Sequence, residues 1–316
     1  MSDILYIDAD LIAYKCSAAA EERSIIATNP NGVEYSFKNR TAFKAAIPED
    51  KRENYTILDV QTPEPVENVY RSVKVMAKNI AEKAGVSDYK LVMSGKTNFR
   101  DNIPLPTKYK SNRKDTIRPI LLPDARQYLQ HAMKAIVTDG IEADDYLSIV
   151  AYDGYWNNKT GRVIQATTDK DARQCSGWLF NWDKHTSPQL IQGSGFLSYE
   201  DGDVYGEGHM WLLYQLLHGD SSDGYALKDL ANVKFGAKGA FDVLVKAKSI
   251  KEAYSLLYAK AKEWYPDIVE YVDHTGTTQK KDALEIIEMY WQCARMLRFH
   301  GDNLTFKEMM TNLKLI

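Results

Sequence analysis

Four short acidic clusters hold the residues of this 316-residue chain best suited to chemistry: Asp8-Ala9-Asp10, Glu142-Ala143-Asp144-Asp145, Asp169-Lys170-Asp171 and Asp220-Ser221-Ser222-Asp223. Carboxylates gathered in one crevice repel one another and take up protons unless cations neutralise them. A donor set of oxygen alone, without His or Cys, favours hard ions, Mg²⁺ or Mn²⁺. Two such ions about 3.5–4 Å apart form a clamp for phosphoryl transfer. Taken singly, each cluster has an ordinary explanation, because acidic residues favour helix N-termini and Asp is common in turns. Nine carboxylates in four places, each expected where a strand ends or a helix begins, make convergence the better reading. Glu142 and Asp145, three apart at a helix start, share one face, and Asp169 and Asp171, two apart on an extended segment, point the same way.

Beside the acids stands a basic stretch. From Lys96 to Arg118 there are seven basic residues, Lys96, Arg100, Lys108, Lys110, Arg113, Lys114 and Arg118, against Asp101 and Asp115. Alone it would be a solvated charged loop. Next to a metal cluster it reads as an electrophilic phosphate clamp, with Tyr109 placed to stack on a base or sugar. A second basic site is expected at Lys234-Phe235-Gly236-Ala237-Lys238-Gly239, a turn leading into a helix. Its glycines would let backbone N–H groups approach a DNA phosphate. The plain alternative is an ordinary helix–helix turn.

Elements that could position these residues follow from the hydrophobic pattern. Ile4 to Ile7 is a short apolar strand ending in Asp8, Tyr89 to Met93 a second, Ile136-Val137 a third and Val163 to Thr167 a fourth. Helices are expected from Glu64 to Gly85, from Asp124 to Lys134, from Glu142 onward and from Trp211 to Leu217. This alternation predicts an α/β fold with a central, mainly parallel sheet covered on both faces, whose strand ends form the ligand crevice. Asn29-Pro30-Asn31-Gly32 predicts a hairpin within 17–63, read as an insertion on the core. Pro104, Pro106 and Pro119 forbid one long helix across 96–123. A catalytic domain is thus expected over 1–218, and a mostly helical lobe over 219–316.

Composition adds exclusions and one apparent contradiction. The three cysteines, Cys16, Cys175 and Cys293, form neither a disulfide framework nor a zinc motif, which fits a reducing cytoplasm. No apolar run reaches the roughly 18 residues of a membrane span, and no basic leader precedes the first apolar run, so a soluble, non-exported protein with no membrane partner is expected. The net charge of −3 argues at first against a nucleic-acid partner.

The ordered motifs resemble one family. Ile7-Asp8, Ile141-Glu142-Ala143-Asp144-Asp145, Thr168-Asp169-Lys170-Asp171 and Gly219 to Gly224, with Lys108-Tyr109-Lys110-Ser111-Asn112-Arg113, are similar to the flap endonuclease and 5′→3′ exonuclease superfamily. Gly219 to Tyr225 and an expected final helix, Ala294 to Phe299, look most like small bacteriophage-encoded exonucleases. The resemblance implies a PIN-like core and a helix-hairpin-helix turn around Gly236 to Gly239. It implies a first metal on Asp8, Glu142, Asp144 and Asp145, and a second on Asp145, Asp169, Asp171, Asp220 and Asp223. It implies that Lys110 and Arg113 contact the scissile phosphate and that the turn around Gly236 to Gly239 holds the duplex backbone, with K⁺ there in relatives; with the basic residues read directly, Tyr109 is expected beside them in catalysis and Lys96, Arg100, Lys108, Lys114, Arg118, Lys234, Gly236, Lys238 and Gly239 at DNA. The implied activity is a monomeric 5′→3′ exodeoxyribonuclease that cuts duplex DNA to 5′-phosphorylated products in phage DNA replication or degradation, with flap cutting and RNA–DNA hybrid cleavage as further substrates.

Two departures stand out. The family has an Asp after the second core strand, where this chain reads Ser94-Gly95-Lys96; either Asp10 or a water stands in, or catalysis is weakened. Lys234 replaces the first glycine of the hairpin turn, which puts cation binding there in question. The rivals are a haloacid dehalogenase-type phosphatase, built on Asp8-x-Asp10 and a strand before Gly219-Asp220, a non-catalytic DNA-binding relative, and a PIN-type ribonuclease.

Overall fold

The computed structural model describes residues 2–114, 116–158 and 160–316, so Asp115 of the basic stretch lies outside the described residues. In chain order come β1 (Ile4–Asp8), α1 (Ala9–Ala19), β2 (Glu21–Thr28), β3 (Glu34–Phe37), α2 (Arg40–Ala46), α3 (Glu49–Arg52), β4 (Thr56–Pro63) and α4 (Val66–Ala84). There follow β5 (Asp88–Met93), α5 (Leu122–His131), β6 (Ile136–Val137), α6 (Ala143–Asn157), β7 (Val163–Ala166), β8 (Gly177–Phe180), β9 (Gln189–Ile191), β10 (Phe196–Glu200), β11 (Asp203–Glu207) and α7 (Gly208–His218). The last part holds α8 (Ala237–Leu244), α9 (Ile250–Trp264), β12 (Val269–Val272), β13 (Thr278–Lys281), α10 (Ala283–Ala294) and α11 (Phe306–Asn312).

The fold is mixed α/β. Its six-stranded sheet has the order β6-β5-β1-β7-β8-β9 and is parallel except for β9. Leu5 and Ile7, on one face of β1, are fully buried, while Tyr6 on the other face is half-buried. The strand order reverses at β1, which lies between β5 and β7, and open α/β sheets bind ligands at the carboxyl ends of strands at such a point. Asp8 is the last residue of β1, and α6 packs against β1, β5, β7 and β8.

The chain divides into two compact units. One comprises residues 1–8, 80–116 and 136–316; the other comprises 9–79 and 117–135. In the first, α7, α9, α10 and α11 share a single core built on Trp211, Tyr254, Trp291 and Phe306, which Ile103, Leu105 and Tyr109 also enter. The boundary expected at 218/219 therefore falls inside this unit, because the apolar faces on either side of it are buried together. In the second unit, β3-β2-β4 form an antiparallel sheet over Ile25, Ala27 and Phe43, and α1 packs on α5. The hairpin expected at Asn29–Gly32 joins β2 to β3, and the Asn29 side chain accepts from the Asn31 and Val33 amides.

As the prolines require, no long helix crosses 96–123: the described residues there carry 3₁₀ turns at Phe99–Asn102 and Ser111–Arg113 before α5 starts at Leu122. Two other sequence expectations change. The final helix expected over Ala294–Phe299 is absent: α10 stops at Ala294, and Arg295 turns extended, with φ −77° and ψ 129°. Among the described residues no helix lies between α7 and α8, so the basic glycine turn has a helix only on its C-terminal side. No described helix is long and apolar enough to cross a membrane.

Candidate metal centre

The carboxylates converge in the first unit by distinct local devices. Asp8 is delivered by β1, and its Oδ2 accepts from Thr167 Oγ1 at 3.0 Å, just past the end of β7. The same hydroxyl accepts from the Asp169 amide at 3.1 Å, and Asp169 Oδ1 accepts from the Asp171 amide at 2.8 Å, so a tight turn presents both aspartates. Asp220 and Asp223 follow α7, the helix expected over Trp211–Leu217, and neither end a strand nor open a helix. Gly219, the C-cap of α7 with φ +87°, turns the chain where a Cβ would lie 2.4 Å from Ala226 Cβ. Hydrogen bonds from the Asp220 amide to Tyr225 O and from the Gly224 amide to Asp220 O then close the loop that holds both side chains.

Asp171, Asp220 and Asp223 are buried, and one oxygen from each lies within 4.8 Å of the others. Burial first, then Asp169, pushes the Asp171 carboxyl up to about 8, although Gln215 donates to it. Burial likewise raises Asp223, against the pull of Lys110 and Tyr109. Burial also acts to raise Asp220, but bonds from Lys170 and Ser222 outweigh it and hold this carboxyl below its ordinary value. A second group surrounds Asp144, which burial and the charges of Asp8, Asp169 and Glu142 lift well above the carboxylate range. Asp144 Oδ1 is buried with no hydrogen-bond partner among the described residues. Asp169 bears on both Asp144 and Asp171, and Glu142 on both Asp144 and Asp223, so the two groups form one electrostatic system.

An oxygen-only set with raised carboxyls and an orphaned buried oxygen fits hard divalent cations. The bases of the expected clamp now serve as counterions. Lys110 Nζ is 2.5 Å from Glu142 Oε1 and 3.6 Å from Asp223 Oδ1, and these acids keep its ammonium above the ordinary lysine value despite burial. Arg113 Nη2 lies 2.7 Å from Asp223 Oδ1, while its Nε and Asn112 Nδ2 donate to Ser222 and Ser221 carbonyls. Lys170 Nζ, not singled out from the sequence, is 2.6 Å from Asp220 Oδ2.

Some assigned residues are placed otherwise than expected. Tyr109 is buried, so it has no face for a base; its hydroxyl donates to Asp223 Oδ2 at 2.6 Å and lies 3.3 Å from Glu142 Oε2. Arg100 is fully buried and cannot reach a DNA backbone. It grips Asp145 with Nη1 to Oδ2 at 2.5 Å and Nη2 to Oδ1 at 2.9 Å. Removing one partner of such a pair costs roughly 3–5 kcal/mol. Ser94, where the family's Asp was missed, accepts from the Ala143 amide at 2.9 Å and so caps α6. Asp10 is engaged by Arg126 in the second unit, and Asp101 pairs with Lys108 at 3.3 Å.

Of the remaining DNA-assigned residues, Lys96, Lys108, Lys114, Lys234 and Lys238 are exposed, and Arg118 is exposed in the second unit. Gly236 is the N-cap of α8, Gly239 packs under the Phe235 ring, and Lys238 pairs with Asp242 beside the Tyr199 and Phe241 rings. The phosphatase rival needs a strand before Gly219, where the chain has α7.

Solved structures similar to this chain are bacteriophage T5 nucleases. A T5 flap endonuclease in a pseudo-enzyme–product complex with DNA and metal ions aligns with a TM-score of 0.48 and 12% identity, covering 99% of this chain and 98% of that chain. A T5 protein co-crystallised with metal ions gives 0.46 and 10%, covering 92% and 89%. The T5 5′-exonuclease with zinc ions gives 0.43 and 13%, covering 99% and 89%. No protein-family model matches the chain, and no curated protein matches it.

Proposed function

We propose that the chain is a divalent-metal-dependent 5′→3′ exodeoxyribonuclease acting on duplex DNA and leaving 5′-phosphates. The observation that carries this reading is the pair of carboxylate groups, the partly buried Asp8–Glu142–Asp144 and the buried Asp171–Asp220–Asp223, coupled through Asp169 and Glu142. Asp8, Glu142 and Asp144 would hold one Mg²⁺ or Mn²⁺, and Asp169, Asp171, Asp220 and Asp223 the other. When bound, such ions supply positive charge to the phosphoryl oxygens and acidify the attacking water.

The chain's own residues do the rest. Lys110 and Arg113, which pair with Glu142 and Asp223, would bind and orient the scissile phosphate. Tyr109 holds Asp223 by its hydroxyl, which burial and the Glu142 charge keep protonated. The exposed Lys96, Lys108 and Lys114, with the α8 turn at Lys234, Gly236, Lys238 and Gly239, take the duplex backbone, with K⁺ binding at that turn as an added expectation. The reading extends to a monomer in a phage-infected cytoplasm, acting on 5′ ends, flaps and RNA–DNA hybrids.

Digestion of 5′-labelled duplex, flap and hybrid substrates in Mg²⁺, Mn²⁺ or EDTA tests this. Release of 5′-phosphorylated products from duplex ends only with metal is the expected result. Equal cutting of single strands lacking any 5′ duplex would reject duplex direction, and equal cutting in EDTA would reject the metal mechanism.

A further inference from the structure

Asp145, to which the motif resemblance gives a metal, has its lone pairs filled by other partners. Oδ1 accepts from Arg100 Nη2 at 2.9 Å and from the Leu297 amide at 3.3 Å. Oδ2 accepts from Arg100 Nη1 at 2.5 Å and from the Glu142 amide at 3.2 Å. A carboxylate offers about four acceptor sites, and all four are taken. Arg100 is equally committed: its Nε donates to Cys293 O at 3.0 Å, and Nη2 also donates to Arg295 O at 2.8 Å. Both side chains are fully buried.

The partners show what the pair holds. Cys293, Arg295 and Leu297 belong to the segment where α10 ends and the chain turns extended, leaving carbonyls for which Arg100 is the donor. Glu142 is the N-cap of α6, whose first turn carries Asp144. Arg100 itself is anchored to the lead-in of α6, since the Phe99 amide donates to Gly140 O at 3.0 Å and the Gly140 amide to Thr97 Oγ1 at 2.8 Å.

We propose that Arg100 and Asp145 are a buried positioning pair that fixes the α6 N-terminus, and with it Glu142 and Asp144, against the segment after α10, and that Asp145 does not ligate metal. This rests on the metal-nuclease reading but is tested apart from it. A side chain that orients ligands through hydrogen bonds is worth about 10–100-fold in metal affinity. Residues in contact couple whether or not one of them ligates metal, so the sign of the Arg100 effect decides: removing a cation that competes for a ligand tightens metal binding, whereas removing half of a positioning pair weakens it.

The experiment is a double-mutant cycle on the full chain with Arg100→Met, Asp145→Asn and the double variant, plus Arg100→Lys. Mn²⁺ binding is read by electron paramagnetic resonance of the free ion, and kcat and KM are read on duplex DNA. We expect each single change to weaken Mn²⁺ binding by about tenfold or more. We expect kcat to fall with KM for DNA unchanged, the double variant to be no worse than the worse single one, and Arg100→Lys to recover part of the loss. If Arg100→Met does not fold, Arg100→Lys with Asp145→Asn decides by the same comparison. An Arg100 change that leaves Mn²⁺ binding intact or tighter would make Asp145 a ligand and overturn the pair, and additive losses would overturn it by showing that the two do not act as a unit. A wild-type chain that binds no Mn²⁺ would instead overturn the metal-nuclease reading.

Discussion

Lys110 shows how single residues serve two states. Its ammonium, 2.5 Å from Glu142, offsets partly buried negative charge in the fold, and under the proposed function it would bind the scissile phosphate. Lys110→Ala should lower kcat by about 10²–10³-fold, the usual loss for one electrophilic donor, as measured by single-turnover cleavage. Asp171 gives a pH prediction. Its folded value of about 8 lies above the unfolded 3.8, so its contribution to stability is complete below the unfolded value and is lost as pH rises through about 8. Metal-free protein should therefore melt lower at pH about 9 than at pH about 6, and the gain in Tm on adding Mg²⁺ should be larger at the higher pH. Equal gains at both, by scanning calorimetry, would contradict the placement of Asp171 at a metal. The convergence of the acids was legible from the four clusters taken together, since each alone has an ordinary explanation. The Arg100–Asp145 pair was not, since an arginine in a Lys/Arg-rich stretch carries no mark of burial.

At the scale of elements, the sheet was readable because apolar runs such as Ile4–Ile7 have few other uses, and β1, β5, β6 and β7 lie where the pattern put them. The β12–β13 hairpin was missed, although Val269–Val272 and Thr278–Lys281 flank a turn at Gly276 with φ +89°. A helix before the basic turn was expected from family likeness and is replaced by turns, where Asp229 caps the Ala226 amide and Lys228 ties to Phe235 O. At the β5-to-α6 junction, Ser94 caps Ala143, and a Cβ on Gly95 would sit 2.0 Å from Thr138 O. Ser94→Asp retains a capping oxygen and adds a carboxylate beside Glu142 and Asp144. It should tighten Mn²⁺ binding several-fold in the same resonance titration, whereas Gly95→Ala should cost about 1–3 kcal/mol of stability by chemical denaturation. A Ser94→Asp variant with weaker Mn²⁺ binding would place Ser94 away from the centre.

For the whole molecule, the net charge of −3 no longer argues against DNA. Outside Lys96–Arg118 the balance is −8, so the basic charge is concentrated, and two divalent ions would bring the total to +1. DNA affinity should therefore be weaker in EDTA than in Ca²⁺ and should fall steeply with salt, as followed by fluorescence anisotropy. The most direct measurement of the central claim is hydrolysis of a 5′-labelled duplex by wild-type protein and by the Asp169→Ala/Asp171→Ala double variant, each with Mg²⁺ and with EDTA. The coupled carboxylate groups predict 5′-phosphorylated products from the wild type in Mg²⁺ alone and from the variant under neither condition. Undiminished Mg²⁺-dependent cleavage by the folded variant would contradict it.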